Sequence, residues 1–283
     1  MKEQQQLEII NHQTKLIGFV GGGQSGKGTS TAYFTGLTWH LNNLIERFEI
    51  NQFGQLVIYD LKGHVFSEGK VFDTFTWHND PEIDSILRTC FPPPLNLVQK
   101  VSFGDALKEV CHLMFGIHSE LLWGDDKAKG TETEYTAGQF RNLLGTGRFP
   151  FKDMKDSETL TVRQILQVWG TEVGRRISTD LWTRRLTERV YDIINTWRPA
   201  MIVIDDVRFE SEVECIKKMN GTLIGLTRKV KSSAGTIHAS EKITKLFEEC
   251  DHVVDNQDDT IVQQCSKLFD IYREVERCKK TLG

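Results

Sequence analysis

A glycine-rich stretch near the amino terminus constrains this chain more than any other feature. The segment GGGQSGKGTS begins at Gly21, directly after the apolar run LIGFV. It matches the phosphate-binding pattern G-x-x-x-x-G-K-[ST] except that Gly28 follows the lysine and the hydroxyl is delayed to Thr29. The pattern requires a strand, a glycine loop and a helix in that order. Residues 15–20, followed by a helical pattern from Lys27, provide that context.

The glycines and the lysine of this loop suit it to a phosphate group. Backbone N–H groups of such a loop and of the helix N-terminus surround phosphate oxygens, and the ammonium of Lys27 adds positive charge. Most switch GTPases and motor ATPases keep Ser or Thr next to the lysine because that oxygen ligates magnesium. The delay to Thr29 indicates that magnesium is held more through water and phosphate here. Close backbone approach is permitted at Gly21, Gly23, Gly26 and Gly28.

Composition and charge exclude several classes of protein. The 283 residues, 39% of them hydrophobic, suffice for one large domain or a core domain with a smaller appendage. The formal charge of -4 gives no overall attraction to nucleic acid or an anionic membrane. No apolar run approaches the roughly 18 residues of a membrane span, and MKEQQQLEIINHQT lacks the apolar region of a signal peptide. We therefore expect a soluble, cytoplasmic protein without a membrane partner, whose cysteines stay reduced.

Strand patterns alternate with helix patterns along most of the chain. This alternation predicts an α/β three-layer sandwich with a mainly parallel sheet. A T-x-x-Q capping box formed by Thr161 and Gln164 marks the start of one helix. The predicted strands are 15–20, 97–103, 201–205, 222–227 and 252–255, and the predicted helices are 27 to about 48, 106–116, 161 onward, 179–196, 211–219 and 258–278.

Residues 51–96 interrupt the alternation. Their sequence QLVIYDLKGHVFSEGKVFDTF combines short apolar runs with glycine and charged turns, and three prolines at 92–94 close the segment. We expect a small β-rich insertion appended to the core, whose replacement by a linker leaves ATP binding intact. Residues 1–14 form an N-terminal tail. The polar stretch at 117–158 predicts long loops around a short helix, as in binding segments.

Candidate binding residues also occur in the segment IDDVRFESE at 204–212. Asp205 and Asp206 leave the carboxyl end of a strand, which is the edge where open α/β sheets bind ligands. Either carboxylate can order the water shell of a magnesium ion. Arg208 can hold a phosphate through two parallel hydrogen bonds. A solvated turn with an Asp–Arg ion pair is the alternative interpretation.

A polar face runs along the helix pattern RQILQVWGTEVGRR at 163–176. Arg163, Gln167, Gly170 and Thr171 share this face, and the small Gly170 leaves room for a ligand. Ordinary amphipathic helices have the same pattern. This segment alone therefore does not identify a site.

Together and in this order, these segments resemble the bacteriophage deoxynucleoside monophosphate kinase family. The G-K-G-T loop is similar to that of nucleoside monophosphate kinases such as adenylate kinase. The resemblance covers about residues 15–47 and 97–275, matches poorly at 117–158 and leaves the 51–96 insertion without a counterpart. The other segments that carry it are SFGDALK at 102–108, RQILQVWGT at 163–171, Trp182, DVRFESE at 206–212, HASE at 238–241 and DHVVDN at 251–256.

The resemblance implies an ATP-dependent phosphotransferase of the P-loop kinase class that converts a dNMP into the diphosphate with Mg²⁺. Phosphoryl transfer needs positioning and charge neutralisation, and no catalytic base is required because the acceptor phosphate is already an anion. The kinase domain would occupy 15–283, with a lid-like segment at 228–246. Its cations Arg228, Lys229 and Lys231 either close onto the transferring phosphoryl group or stay solvated. If phage-encoded, the enzyme would act in the host cytoplasm, and a homodimer is left open.

The resemblance also implies a role for each matching residue. The catalytic residues would be Lys27, Asp206 and Arg208, and Thr29 and Asp206 would serve the metal. ATP would be held by Gly21, Gly23, Gln24, Ser25, Gly26, Lys27, Gly28 and Thr29. The deoxynucleotide would be surrounded by Lys108, Arg163, Gly170, Thr171, Trp182, Asp206, Arg208 and Glu212.

Two alternative functions remain. The insertion and the arginines at 175, 176, 184 and 185 favour a kinase that phosphorylates a modified base within DNA, although the charge of -4 argues against polymer binding. The glycine loop alone is also compatible with an ATPase or a nucleotide-dependent binding module. The delayed Thr29 argues against that switch-like function.

Overall fold

The computed structural model describes residues 14–61, 64–72, 97–145, 147–228 and 245–280, with side chains as far as 276. The chain divides into two compact units. The first comprises Met1–Val101 with Arg189–Gly283, and the second comprises Ser102–Glu188. The glycine loop and the DVRFESE segment thus belong to the first unit, and the RQILQVWGT segment belongs to the second.

The secondary structure follows the alternation expected from the sequence. The described strands are β1 (Lys15–Val20), β2 (Phe48–Ile50), β3 (Leu56–Leu61), β4 (His64–Phe72), β5 (Val98–Val101), β6 (Glu132–Thr136), β7 (Thr159–Thr161), β8 (Met201–Val207), β9 (Thr222–Thr227) and β10 (His252–Asp255). The described helices are α1 (Lys27–Leu41), α2 (Asp105–Phe115), α3 (Ser119–Leu122), α4 (Asp126–Lys129), α5 (Ala137–Leu144), α6 (Val162–Gln167), α7 (Arg175–Ile177), α8 (Leu181–Trp197), α9 (Glu210–Lys218) and α10 (Ile261–Lys280), and a π-helical segment (Val168–Gly174) joins α6 to α7.

The described part of the first unit is built on a five-stranded parallel sheet in the order β10-β9-β1-β8-β5. On one face, Ile17 and Phe19 of β1 share a core with Phe34 of α1 and Leu268 of α10. On the other face α9 packs closely, because a Cβ added to Gly18 would lie 2.6 Å from Ile216 Cδ1. Helices therefore cover both faces, and the predicted α/β sandwich with a mainly parallel sheet is confirmed.

The first helix ends earlier than the sequence predicted. The apolar spacing suggested a helix as far as about Phe48, but α1 ends at Leu41 and Phe48–Ile50 is a strand. The Asn42 side chain donates to the Thr38 carbonyl oxygen at 2.7 Å, and Asn43 has a left-handed φ of 56°. Such a residue ends a helix. The apolar residues that follow Leu41 pack against the antiparallel sheet of the first unit, which is why the sequence predicted too long a helix.

The described part of the 51–96 insertion lies in an antiparallel sheet of order β2-β3-β4, which begins earlier, at Phe48. The sheet packs on α1, because a Cβ added to Gly36 would lie 2.7 Å from Leu56 Cδ1 and would overlap the Phe48 ring. Phe72 of β4 meets Trp39 of α1 with ring centroids 4.8 Å apart. The sheet therefore packs on α1 within the first unit, and the predicted β-rich character is confirmed for the described part of the insertion. Residues 62–63 and 73–96 lie outside the described ranges.

The second unit has its own apolar core. Residues 117–158 were predicted to be loops around a short helix, but they contain β6 and the helices α3, α4 and α5. These helices are too short to give a clear 3.6-residue period. The predicted capping box of Thr161 and Gln164 is confirmed. The core comprises Cys111, Ile117, Leu122, Ala137, Phe140, Phe149, Leu160, Val162, Ile165 and Val168.

None of the described helices is both long enough and apolar enough to cross a bilayer.

Candidate phosphate-binding site

The carboxyl ends of four neighbouring strands bring the candidate residues of the first unit to one edge of the sheet. The glycine loop follows β1, and Asp205 and Asp206 lie at the end of β8. Arg228 follows β9 and Asn256 follows β10. Because these strands pair in parallel, their carboxyl ends share an edge, which is where open α/β sheets bind ligands.

The glycine loop turns through left-handed conformations and leaves part of its backbone open. Gln24 has a φ of 57° and Gly26 a φ of 96°. A Cβ added to Gly21 would lie 2.9 Å from the Leu226 carbonyl oxygen, so the loop itself requires this glycine. Around a Cβ added to Gly23 or Gly28, by contrast, no described atom beyond the adjoining residues and the backbone of the same helix lies within 4 Å. The backbone at these two positions is accessible to a ligand.

The ammonium of Lys27 lies against the loop. Its Nζ donates to the Gly21 carbonyl oxygen at 2.9 Å and to the Gly22 carbonyl oxygen at 2.5 Å, and it lies 3.3 Å from Ser25 Oγ. Phosphate oxygens carry more negative charge than these carbonyls. A phosphate entering the loop would therefore compete for the same protons.

Lys27 shares its electrostatic environment with three other charged groups. Burial, and next the positive charge of Arg208, lower the pKa of Lys27 from 10.5 to about 8, while Asp205 and Asp206 act in the opposite direction. One ammonium, one guanidinium and two carboxylates thus act on each other at this edge. Phosphoryl-transfer sites combine cations for phosphate oxygens with a carboxylate for the metal in this way.

One of the two aspartates pairs with a lysine of the neighbouring strand. Asp205 Oδ2 lies 3.2 Å from Lys100 Nζ of β5, and both side chains are largely buried, with 14% and 18% exposed. This pair could not be predicted from the sequence, because it depends on the register of β5 against β8. Asp205 therefore has a charge partner within the sheet. Asp206 stays our prediction for the metal.

Thr29, the displaced hydroxyl of the loop, lies against the antiparallel hairpin. Gly54, in the turn between β2 and β3, has a φ of 77°, and a Cβ added to it would overlap Thr29 Oγ1. The insertion therefore contacts the first turn of α1, directly after the loop. The expectation that replacement of 51–96 leaves ATP binding intact stays a prediction, and this contact argues against it. Metal ligation by Thr29 stays a prediction.

Glu212 organises the chain after β8. Its carboxylate accepts hydrogen bonds from the backbone N–H groups of Arg208 at 2.8 Å and Phe209 at 3.2 Å, and only 2% of the residue is exposed. These bonds cap the N-terminus of α9. The Arg208 side chain itself is exposed and makes no ion pair within the described ranges. An Asp–Arg surface pair thus has no support, and a substrate contact of Glu212 stays a prediction.

Arg228 approaches the glycine loop from the end of β9. Its Nη1 lies 3.4 Å from the Gln24 carbonyl oxygen. The remaining lid cations, Lys229 and Lys231, and the HASE segment lie outside the described residues. The predicted lid at 228–246 therefore stays a prediction.

Two buried amides support the loop and were not recognised from the sequence. Asn256 Nδ2 donates to the Ser25 carbonyl oxygen at 3.0 Å. Gln264 Nε2 donates to the Gly26 carbonyl oxygen at 3.1 Å and to Ser30 Oγ at 3.0 Å. The only signal for Gln264 was a polar residue in the apolar stripe of α10, four positions before Leu268.

Five predicted substrate residues belong to the second unit. Lys108 Nζ lies 3.2 Å from Asp105 Oδ1 and 5.4 Å from the centroid of the Trp123 ring. Arg163 is half exposed and pairs with Asp126 at 2.6 Å. Both cations thus have acidic neighbours, and their contact with a nucleotide stays a prediction. The five residues are Lys108, Arg163, Gly170, Thr171 and Trp182.

Gly170 and Trp182 are in direct contact. The Trp182 indole N–H donates to the Gly170 carbonyl oxygen at 3.0 Å, and 7% of Trp182 is exposed. A Cβ added to Gly170 would lie 2.7 Å from Leu107 Cδ2. Because glycine has no side chain, α2 can pack closely against this position. Both residues therefore have packing roles in the second unit. Thr171 is exposed. Their predicted roles in nucleotide binding are untested.

The acidic residues of the described chain do not form a metal cage by themselves. No group of three or more His, Cys, Asp or Glu side chains is placed to hold a metal within these ranges. Mg²⁺ commonly binds through one or two carboxylates together with substrate phosphates and water. The edge residues, above all Asp206 beside Lys27, fit that mode.

Comparison with known proteins points to one family. The family model for deoxynucleotide monophosphate kinase matches residues 132–268, which include the RQILQVWGT and DVRFESE segments. A putative deoxynucleotide monophosphate kinase of Acanthamoeba polyphaga mimivirus is 26% identical over 170 residues, covering 57% of this chain and 76% of the relative. Over these matched stretches, the chain is similar to the deoxynucleotide monophosphate kinase family.

Proposed function

We propose that this protein transfers the γ-phosphoryl group of ATP to a deoxynucleoside monophosphate and so forms the diphosphate. The observation that carries the proposal is the environment of Lys27: a partly buried ammonium in a G-K-G-T loop, within electrostatic range of Arg208 and two aspartates. This is a donor-phosphate site with a second cation beside it. Similarity to deoxynucleotide monophosphate kinases supports the acceptor class.

The donor phosphates are held by the loop and the start of α1. Gly23 and Gly28 have an open backbone, so their neighbouring N–H groups can approach phosphate oxygens. The Lys27 ammonium leaves the loop carbonyls for the more negative phosphate oxygens. Mg²⁺ neutralises phosphate charge when bound, and Asp206 and Thr29 are the residues that we assign to it.

Arg208 binds the acceptor phosphate in this proposal. Its guanidinium is exposed at the sheet edge, and Glu212 fixes its backbone. A guanidinium can form two parallel hydrogen bonds to a phosphate, which fixes orientation as well as charge. Because the acceptor is already an anion, the side chains only have to position it and neutralise its charge. Lys108, Arg163, Gly170, Thr171 and Trp182 stay candidate acceptor contacts on the resemblance alone.

A coupled assay of ADP release tests the proposal. The protein is supplied with ATP, Mg²⁺ and each common dNMP in turn, with the ribonucleoside monophosphates and duplex DNA as separate arms. We expect stimulation by at least one dNMP and loss of that stimulation in Lys27→Met. Stimulation by DNA alone supports the DNA-base kinase instead, and turnover that is independent of any acceptor supports an ATPase.

A further inference from the structure

The inference concerns the two amides that lie behind the glycine loop. Asn256 and Gln264 come from the end of β10 and from α10, and only 3% and 4% of them are exposed. Each donates to a backbone carbonyl oxygen of the loop, Ser25 in one case and Gly26 in the other. Buried amides in such positions cannot exchange these bonds for bonds to bulk water. Loss of Asn256 would leave the Ser25 carbonyl without this donor, whereas the Gly26 carbonyl would keep its bonds from the Ser30 N–H at 2.9 Å and from Ser30 Oγ at 3.0 Å.

Because the peptide bond is planar, hydrogen bonds to the loop carbonyls also fix the direction of the N–H groups on the opposite side of the loop. In a planar trans peptide the C=O and N–H groups point in opposite directions. If the Ser25 carbonyl points to Asn256, the N–H of Gly26 points away from Asn256. The Gly26 carbonyl points to Gln264, so the N–H of Lys27 points away from Gln264. Consecutive N–H groups turned to one side form an anion-binding concavity.

The two amides also pack closely against the loop. A Cβ added to Gly26 would lie 2.7 Å from both Asn256 Nδ2 and Gln264 Nε2, so the amides fill the space behind this glycine. Gly26 also has a φ of 96°, which other residues rarely adopt. Gln264 additionally bonds Ser30 Oγ, in the first turn of α1. The loop can hardly rotate these peptides without breaking buried hydrogen bonds.

We propose that Asn256 and Gln264 are positioning residues that orient the N–H groups of Gly26 and Lys27 toward the donor phosphates. The inference rests on the proposed function, because it takes a nucleoside triphosphate as the loop's ligand. It assigns the carboxyl-terminal strand and helix a part in phosphate binding through the loop, without contact with the nucleotide. Removal of either amide should therefore weaken binding only of ligands whose phosphates reach the loop.

The experiment measures dissociation constants of ATP, ADP and adenosine by calorimetry for the full chain. Asn256→Leu and Gln264→Met keep side-chain size but cannot donate. We expect ATP and ADP to bind about tenfold or more weakly in Asn256→Leu, because the Ser25 carbonyl loses its buried donor. The loss should be smaller in Gln264→Met, because the Gly26 carbonyl still accepts from the Ser30 N–H and from Ser30 Oγ. Adenosine affinity and the KM for the dNMP should stay unchanged.

Asn42→Ala is the matched control. It removes another amide that donates to a backbone carbonyl, that of Thr38, at the opposite end of α1. This variant should bind all three ligands like the wild type. Thermal unfolding of every variant is recorded alongside, and a variant that does not fold is replaced by alanine, which leaves room for water at the same carbonyl.

Three outcomes overturn the inference. An equal loss of affinity for adenosine and ADP would mean that the amides only maintain the fold. Wild-type affinities in both amide variants would mean that the loop keeps its orientation without them. A wild-type protein that binds neither ATP nor ADP would overturn the proposed donor, and the inference with it.

Discussion

Gly54 of the β2–β3 turn packs against the hydroxyl of Thr29, in the first turn after the phosphate-binding loop. The glycine has a φ of 77°, and a Cβ at this position would overlap Thr29 Oγ1. The antiparallel hairpin thereby packs against α1, whose N-terminus faces the proposed phosphates. A segment that looked dispensable in the sequence thus contacts the candidate site.

Gly54→Ala should therefore weaken ATP binding as well as stability. The left-handed backbone alone costs an alanine about 1 kcal/mol, and relief of the overlap requires Thr29 to move. We expect an ATP dissociation constant raised severalfold, measured by calorimetry. Gly69→Ala is the control, because Gly69 has a φ of 73° but packs against Val57 and Tyr59 of the same sheet. If both variants lose stability equally and bind ATP equally well, the hairpin does not act on the loop.

Arg208→Lys should preserve charge but lose acceptor binding. Lysine cannot reproduce the two parallel hydrogen bonds of a guanidinium. Since charge-assisted bonds contribute about 1.5–3 kcal/mol each, kcat/KM for the dNMP should fall roughly tenfold to a few hundredfold. ATP affinity should change little. Arg185→Lys, at an exposed pair with Glu188, serves as the control.

The opposite pattern would reverse the assignment. Weakened ATP binding with unchanged dNMP kinetics would place Arg208 at the donor phosphates. Unfolding of Arg208→Lys would mean that the residue is structural.

Above pH 8, a rise in pH should lower ATP affinity but raise the contribution of Lys27 to the free energy of unfolding. Burial and Arg208 lower its pKa to about 8 in the folded protein, against 10.5 for an ordinary lysine side chain. Between pH 8 and 10.5 the unfolded chain therefore binds more protons at this residue, so its contribution to the free energy of unfolding rises with pH. Phosphate binding needs the charged form. ATP affinity should thus fall above pH 8, approaching tenfold per pH unit.

Calorimetry in buffers with different ionisation enthalpies would detect the proton uptake that accompanies ATP binding above pH 8. Lys27→Met should bind weakly at every pH and show no such uptake. A wild-type affinity that is constant from pH 7 to 10 would contradict the role of the Lys27 ammonium.

Glu212 offers a test that separates capping from substrate contact. Glu212→Gln keeps an oxygen that can accept from the Arg208 and Phe209 N–H groups, whereas Glu212→Leu removes it. We expect little change with glutamine and a loss of about 1–3 kcal/mol of stability with leucine, because two buried donors lose their acceptor. Chemical denaturation measures this. If Glu212→Gln raised the KM for the dNMP with unchanged stability, the carboxylate charge would serve the substrate.

The parts of the fold that the sequence predicted are those with strong local signals. The glycine loop between β1 and α1, the strands at 222–227 and 252–255, and the capping box at Thr161 all depend on residues near one another in the chain. The end of α1 was mispredicted because its apolar spacing continues into residues that serve the hairpin. Local periodicity cannot distinguish two different partners for one apolar stripe.

The missed parts of the site depend on tertiary register. Lys100 meets Asp205 only because β5 pairs with β8, and Gln264 meets Gly26 only because α10 packs beside α1. Each is an ordinary residue in its own segment. The glycine loop and the DVRFESE segment could be predicted from residue type and spacing. Lys100 and Gln264, which contact these segments, could be recognised only from the folded structure.

The central claim is tested most directly by following the phosphoryl group itself. Phosphorus NMR of a reaction with ATP, Mg²⁺ and the dNMP that stimulates ADP release resolves every product. We expect ADP and the deoxynucleoside diphosphate to form in equal amounts, with neither formed by Lys27→Met. ADP accompanied by inorganic phosphate, with no deoxynucleoside diphosphate from any dNMP, would contradict the proposed kinase activity.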